Sequence, residues 1–272
     1  MGEQAMITSA SNQRVKQIVQ WQTRAKARRE DDIFLAEGPK MYEEAPRELI
    51  REVYLTDTFL RSLRGRREHA AINIEEKLES TGYELVSEEV FARMSDTRTP
   101  QGILAVLKRP VYELEQMLDT DRPLLVLLED LQDPGNLGTI LRTGEGAGIT
   151  GVIMSEITVD IFNPKTIRST MGSIYRVPFL YVENLAKTIE ALRKKGIRVY
   201  AAHLRGQDYY SGFSFAEGTA FLIGNEANGL RRETADLADN YLKIPMEGQV
   251  ESLNAAIAAS LLVYEAHRQR NM

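Results

Sequence analysis

PLLVLLEDLQDPGNLGTILRTGEGAGITGVIM, residues 123–154, decides the fold. An apolar run at 124–128 is too short for a helix of ordinary length. It has no polar alternation, so it predicts a strand over 124–129 covered on both faces, as in a parallel sheet. A turn rich in Asp, Pro, Asn and Gly follows, then apolar residues at helical spacing (Leu137, Ile140, Leu141), then a second apolar run at 151–154. Strand, helix and strand in that order are the unit of a parallel α/β layer. In such sheets ligands bind beyond the carboxyl ends of the strands. The loops after the apolar runs are therefore where function is expected.

The same alternation continues downstream, with strands expected at 178–182, 197–201, 219–224 and 240–244. Helices are expected near 136–147, 163–171, 184–195, 228–238 and 253–268. Upstream, a helix over 12–29 precedes the strand IFLAE at 33–37, a helix from Pro39 and a strand at 52–55. Helical material over 66–80 and strands at 83–86 and 102–107 complete that region. The charged, proline-bounded stretch 108–123 looks like a linker with a short helix. The expected organisation is a first α/β domain over 1–110, a linker over 111–122 and a second domain over 123–272.

Composition bounds the chemistry. The 272 residues carry a net charge of −5 and no cysteine. Disulfides, thiolate catalysis and Cys-based metal sites are therefore excluded. His69, His203 and His267 show no ligand spacing, so no metal is expected. No apolar stretch approaches the roughly 18–20 residues of a membrane span, and the N-terminus lacks the apolar core of a secretory signal, so a cytoplasmic protein with no membrane contact is expected. Positive charge clusters at Arg14, Lys16, Arg24, Lys26, Arg28 and Arg29, and again at Arg61, Arg64, Arg66 and Arg67. These clusters suit either solvated helix surface or a local phosphate-binding face.

Three constellations carry the candidate chemistry. The first, DPGNLG, is not a nucleotide loop, because it lacks both G-x-G-x-x-G and G-x-x-x-x-G-K-[ST]. Asn136 is expected to cap the helix there. Arg142 stands six residues on, among apolar neighbours, to snorkel or pair, or to meet an anionic substrate. The second is TAFLIGNEANGL, 219–230. Gly224 at a strand end would let a ligand approach the backbone, Glu226 would be semi-buried and need a partner, and Asn228 would cap the next helix. The third is IPMEGQVESLNAAIAA, 244–259. Ser252 and Asn254 precede an alanine-rich helix and could cap it or bind an anionic group there. That helix is apolar nearly all round, which suits a subunit interface or a private core equally.

The three stretches occur in order, each after an apolar strand. They resemble the three motifs of the SpoU/TrmH family of SPOUT RNA ribose 2'-O-methyltransferases, over roughly residues 123–268. NPKTIRSTMGSIYRVP, 163–178, resembles the family's segment between its first and second motifs. FLAEGPKMYEEA and TPQGILAV in the first region resemble, less extensively, an L30e/L7Ae-like substrate-binding domain. The resemblance implies an α/β fold whose C-terminal parallel-sheet SPOUT domain is tied in a deep trefoil knot, which pattern reading alone would not propose. It implies S-adenosylmethionine as cofactor, in a pocket lined by Gly224, Ile244 and Leu253. It assigns Arg142, Asn136, Glu226, Ser252 and Asn254 to the catalytic set.

The implied reaction is attack of a ribose 2'-hydroxyl on a sulfonium methyl. Arg142 is the family's proposed catalytic residue, sometimes described as a base. A guanidinium cannot ordinarily accept a proton, so orienting the hydroxyl and clamping a phosphate is the role expected here. Ser252 would help hold that phosphate, and Asn136, Glu226 and Asn254 would frame the loops. Where the family usually continues Val-Ser after Ser-Leu-Asn, this chain has Ala255-Ala256. The resemblance further implies a homodimer and an RNA substrate, ribosomal RNA in preference to tRNA. A non-catalytic RNA-binding protein on the same fold is the rival, and retention of the polar set weighs against it.

Overall fold

The computed structural model describes residues 5–64, 69–204, 206, 208–249 and 252–272. The chain forms two compact units. The first comprises residues up to Pro110 together with 162–175, and the second comprises 111–161 and 176–272.

The first unit runs α1 (Gln13–Thr23), α2 (Ala25–Glu30), β1 (Ile33–Glu37), α3 (Pro39–Glu44), β2 (Ile50–Thr56), α4 (Asp57–Arg64), α5 (His69–Thr81), β3 (Glu84–Val86), α6 (Glu88–Met94) and β4 (Ile103–Lys108). Its sheet has the order β1-β4-β2-β3. β4 is antiparallel to both neighbours, and β2 and β3 are parallel. Val15, Ile18 and Trp21 of α1 pack with Leu35, Tyr54, Leu104 and Val106 of the sheet and Phe91 and Met94 of α6. The single helix expected over 12–29 is two helices. Arg24 is extended at φ −125°, and its N–H closes α1 on the Gln20 carbonyl. Neither Gly nor Pro marks this break in the sequence.

The second unit runs α7 (Leu114–Leu118), β5 (Leu124–Leu128), α8 (Pro134–Ala147) and β6 (Gly151–Ser155). After α9 (Pro164–Thr170) come β7 (Phe179–Val182), α10 (Leu185–Lys194), β8 (Arg198–Ala202), β9 (Asp208–Tyr209), β10 (Thr219–Ile223), α11 (Arg232–Ala235), β11 (Asn240–Lys243) and α12 (Ala255–Arg270). Seven strands form one sheet in the order β7-β6-β5-β10-β8-β11-β9, and every pair is parallel. The period of two along each strand serves two faces. Leu125, Leu127, Ile153, Val199, Ala201, Ala220 and Leu222 meet Met117, Ile189, Leu192 and Ala235 on one face. On the other face α12 packs on α8 and β10. The chain leaves β11, the second strand from one edge of the sheet, and doubles back to lay α12 beside α8.

The division departs from the sequence boundaries in one stretch. Residues 162–175, including α9, count with the first unit. The Phe162 ring sits 5.0 Å from that of Phe34 and under the Arg109 guanidinium, and the Tyr175 hydroxyl donates to the Met41 carbonyl. Arg168 pairs with Asp96 at 2.9 Å. The stretch 111–122, expected as a linker, carries α7, and Met117 of that helix is fully buried in the core of the second unit. Of the first basic cluster, Arg28 is buried and donates to the Trp21 carbonyl, Arg14 pairs with Glu84 and Lys26 with Glu30. Arg28 is thus structural, while Lys16, Arg24 and Arg29 are exposed. The side chains of Arg64, Arg66, Arg67 and His69 lie outside the described part.

Candidate active site

The first constellation starts a helix earlier than its sequence suggests. Pro134 takes the first helical position of α8, where its missing N–H costs nothing. The N-cap is Asp133, whose carboxylate accepts from the Asn136 N–H at 2.8 Å. The expectation that Asn136 caps the helix is therefore corrected. With its backbone already in the first turn, the Asn136 amide is free for other partners. Its Nδ2 donates to Glu226 Oε1 at 3.0 Å, and its Oδ1 accepts from Asn254 Nδ2 at 2.9 Å. Asn254 Oδ1 in turn caps α12 by accepting from the N–H groups of Ala256 and Ile257. One chain of amide and carboxylate groups thus ties the loops after β5, β10 and β11 together.

Glu226 is exposed rather than semi-buried. Besides Asn136 it accepts from the backbone N–H of Gln132 at 3.0 Å and of Asp133 at 2.9 Å. Partial burial pushes its carboxyl up, but the donors from Gln132, Asn136 and Asp133 together outweigh it and hold the group below the usual carboxylate range. Asn228 does not cap a helix. The turn before it is held by Asn225, whose Oδ1 accepts from the Ala227 and Asn228 N–H groups, and α11 begins only at Arg232.

Arg142 stands six residues beyond Asn136 on α8, about 9 Å along the axis at helical rise. Its side chain is exposed between the buried Leu141 and the half-buried Thr143. Among the described residues no hydrogen-bond or ion-pair partner is found for it within the chain. A cation held on a rigid helix without an internal partner is available to an external anion.

A cavity of about 300 Å³ opens beside this frame. Gly224, Glu226, Ile244, Ser252 and Leu253 all line it. Gly224 is there for a reason other than ligand approach alone. A Cβ built on it would lie 2.2 Å from the Gly229 carbonyl carbon and 2.3 Å from the Leu230 nitrogen. The loop after β10 folds back over that strand end, and only glycine leaves room. The walls combine apolar side chains (Leu230, Leu242, Ile244, Leu253) with loop backbone. The volume is at the lower end of the range for small-molecule sites, roughly 300–1,000 Å³. The apolar walls suit an adenosine and the backbone groups its polar edge, so the residues present fit S-adenosylmethionine. Among the described residues no group of three or more His, Asp or Glu side chains could hold a metal ion.

The sequence reading missed the buried anchor of this rim. Glu129, 1 % exposed, directly follows β5 and accepts from Arg231 through both its backbone N–H and its Nε, and from the Thr234 hydroxyl. It pins the far end of the cavity loop to the neighbouring strand. A carboxylate next to five buried residues was the available signal, since such a group needs partners. Asp130, in the left-handed region at φ 57°, accepts from the Ser155 hydroxyl and, through its carbonyl, from Asn225 Nδ2.

A parallel α/β domain with a cavity at its strand ends, and an exposed arginine on the helix that follows β5, suits a group-transfer enzyme acting on an anionic substrate. Comparison with known proteins makes the class specific. Residues 123–264 match the SpoU rRNA methylase family and residues 12–105 the MRM3-like substrate-binding domain. The chain is 36 % identical over 262 residues, 95 % of its length and 97 % of the relative's, to the 23S rRNA (guanosine(2553)-2'-O)-methyltransferase RlmP of Bacillus subtilis. Its fold is similar to that of the AdoMet-bound rRNA methyltransferase from Sinorhizobium meliloti, with a TM-score of 0.82 at 30 % identity over 97 % of each chain. It is equally similar to the SpoU methyltransferase AviRb from Streptomyces viridochromogenes bound to AdoMet, with a TM-score of 0.82 at 27 % identity over 96 % of this chain and 98 % of that one. The chain belongs to the SpoU family of S-adenosylmethionine-dependent RNA methyltransferases.

Proposed function

We propose that this chain methylates the 2'-hydroxyl of one ribose in ribosomal RNA, a guanosine of the large-subunit RNA being the first candidate. The observation that carries this reading is the Glu226–Asn136–Asn254 hydrogen-bonded frame on the rim of the cavity, with Arg142 exposed on the helix that Asn136 begins. The name of the Bacillus subtilis relative, which the chain matches over nearly its full length, supports ribosomal RNA over tRNA.

S-adenosylmethionine supplies an electrophilic methyl group when bound. Gly224, Ile244 and Leu253 line its pocket. Arg142 orients the attacking hydroxyl and clamps the adjacent phosphate, and its charge offsets that of the RNA backbone. Ser252 adds a hydroxyl donor toward the same phosphate. Asn136, Glu226 and Asn254 are positioning residues, because they hold the three loops in register without meeting the reacting atoms.

The unit of residues 1–110 with 162–175 recognises the RNA, and the unit of residues 111–161 and 176–272 carries out methyl transfer. The protein acts as a homodimer. Ile257, Leu261 and Tyr264 support this, being exposed at 51, 38 and 47 % and spaced at i, i+4 and i+7 along one face of α12. Among the described residues no helix is long and apolar enough to cross a membrane, which agrees with a cytoplasmic enzyme.

The test is to map 2'-O-methyl positions in ribosomal RNA from a strain lacking the gene, then to restore the missing one in vitro with the purified protein. No missing position in ribosomal RNA, with one lost from tRNA, overturns the choice of substrate.

A further inference from the structure

The three histidines show no pattern in the sequence, yet the fold gives one of them a place at the cofactor cavity. His203 follows β8 and lines the cavity between Ala202 and Leu204. Its backbone N–H donates to the Leu242 carbonyl at 3.0 Å, which fixes the residue against β11. Its ring stacks on Tyr241, with centroids 5.1 Å apart and planes inclined by 24°. The Tyr241 hydroxyl is held by Asp236, so the tyrosine behind the imidazole is itself anchored. A half-buried imidazole with a fixed aromatic behind it is an ordered planar wall rather than a mobile surface group.

The strand order shows which part of a bound cofactor meets that wall. Glu226 reaches from the end of β10 toward Gln132, Asp133 and Asn136, on the β5 side. His203 stands after β8, on the opposite side of β10. At about 4.8 Å per strand, the β5 and β8 ends are roughly 10 Å apart. The transferred methyl belongs beside α8, so His203 meets a part of the cofactor remote from the reaction. Ala202, Leu204 and Leu242 line the cavity with it, and among the described lining residues Lys243 is the one charged side chain at that strand end. A mainly apolar setting suits an uncharged purine better than an amino-acid zwitterion, whose charges would need partners.

We propose that His203 is a cofactor-binding residue that stacks its imidazole, backed by Tyr241, on the adenine of S-adenosylmethionine. This inference rests on the assignment of the cavity to that cofactor. Its effect is on affinity, because the contact is far from the methyl group and is the same in ground and transition state.

The experiment is calorimetric titration of the whole protein and of His203→Ala and His203→Phe with S-adenosylmethionine and with 5'-methylthioadenosine, which lacks the amino-acid end. His203→Ala is expected to weaken both ligands by a similar factor, roughly three- to tenfold. His203→Phe, which keeps a ring, is expected to restore most of that loss. The KM for the cofactor should rise in His203→Ala while kcat at saturation changes little. Unchanged affinity in His203→Ala overturns the proposal, and so does a loss confined to S-adenosylmethionine, which would put His203 at the amino-acid end. A phenylalanine variant as weak as the alanine variant, with an unchanged melting temperature, overturns stacking. Failure of the unsubstituted protein to bind either ligand would instead refute the assignment of the cavity.

Discussion

The first unit and the site rim of the second hold their charged groups differently. The first unit buries three of them against partners of its own, mostly backbone carbonyls and hydroxyl groups. Lys77, 5 % exposed, donates from Nζ to the carbonyls of Tyr42, Glu43 and Ala45 at the end of α3. Arg28, 3 % exposed, donates to the last carbonyls of α1. Glu37, 9 % exposed, accepts from Ser95, Thr97 and the Gln101 N–H. The rim of the second unit also buries Glu129, but it keeps Glu226 and Asn254 exposed with their geometry fixed, and among the described residues no partner is found for Arg142. A buried charge paired within the fold contributes to stability and is out of reach of a ligand. An exposed, oriented one contributes little to stability and is available for chemistry.

That contrast predicts which substitutions separate activity from stability. Arg142→Ala is expected to cut methyl transfer by at least about 100-fold, since it removes a charge-assisted contact to the RNA in a site where positioning dominates. Cofactor affinity and melting temperature should stay close to those of the unsubstituted protein, because the side chain touches neither the cavity nor the core. Single-turnover assays, calorimetry and thermal melts measure the three quantities. A tenfold weaker cofactor affinity would contradict its placement on the RNA side. Lys77→Met is the converse. It leaves three carbonyls at a buried helix end without their donor and is expected to lower stability by about 2–4 kcal/mol. Activity per folded molecule at a permissive temperature should be retained, and a variant that keeps its melting temperature but loses activity would break the comparison from the other side.

The sequence makes one level of this organisation legible and hides another. Strands at 33–37, 124–128, 151–155 and 219–223 could be read because each is a run of β-formers with turn chemistry at both ends. The polar residues at the rim could be located because they interrupt such runs at strand ends. Their individual tasks could not. Asn, Asp and Ser are equivalent as helix caps, so the sequence does not say that Asp133 rather than Asn136 takes the cap. Glu129 finds its partners about 100 residues away, at Arg231 and Thr234, a distance that no local pattern spans. The same applies to His203, whose wall against Tyr241 exists only because β8 and β11 are neighbours. The break at Arg24 escaped because helix propensity runs through it unchanged.

Asn254 has two roles that a pair of substitutions can pull apart. Its Oδ1 caps α12, and its Nδ2 holds Asn136. Asn254→Asp keeps a good cap, so stability should change by no more than about 0.5 kcal/mol. The donor to Asn136 becomes a carboxylate facing a carbonyl oxygen, and activity is expected to fall roughly tenfold as the frame loosens. Asn254→Ala loses both roles and should cost about 1 kcal/mol in addition. Equal activity in the Asp variant and the unsubstituted protein would show that the frame needs only the cap.

The smallest effect expected is the pH dependence of Glu226, because its side chain is exposed and solvent screens it. Hydrogen bonds from Gln132, Asn136 and Asp133 hold its folded carboxyl below the range of an unfolded one, near about 4.3. The unfolded chain therefore binds the proton more readily than the folded chain does, and acid favours unfolding. The contribution is fully present above the unfolded value and is lost as pH falls through the folded one. Glu226→Gln cannot ionise, and its amide presents only one acceptor oxygen to these donors. The melting temperature of the unsubstituted protein should exceed that of Glu226→Gln by a constant margin between pH 5 and pH 7. That margin should begin to shrink as pH falls below the unfolded value of about 4.3, and it is lost once the carboxylate of the native protein is protonated as well. A margin that widened on acidification would mean that the carboxyl is held up rather than down, and the frame would then be built around a protonated Glu226 that donates instead of accepting.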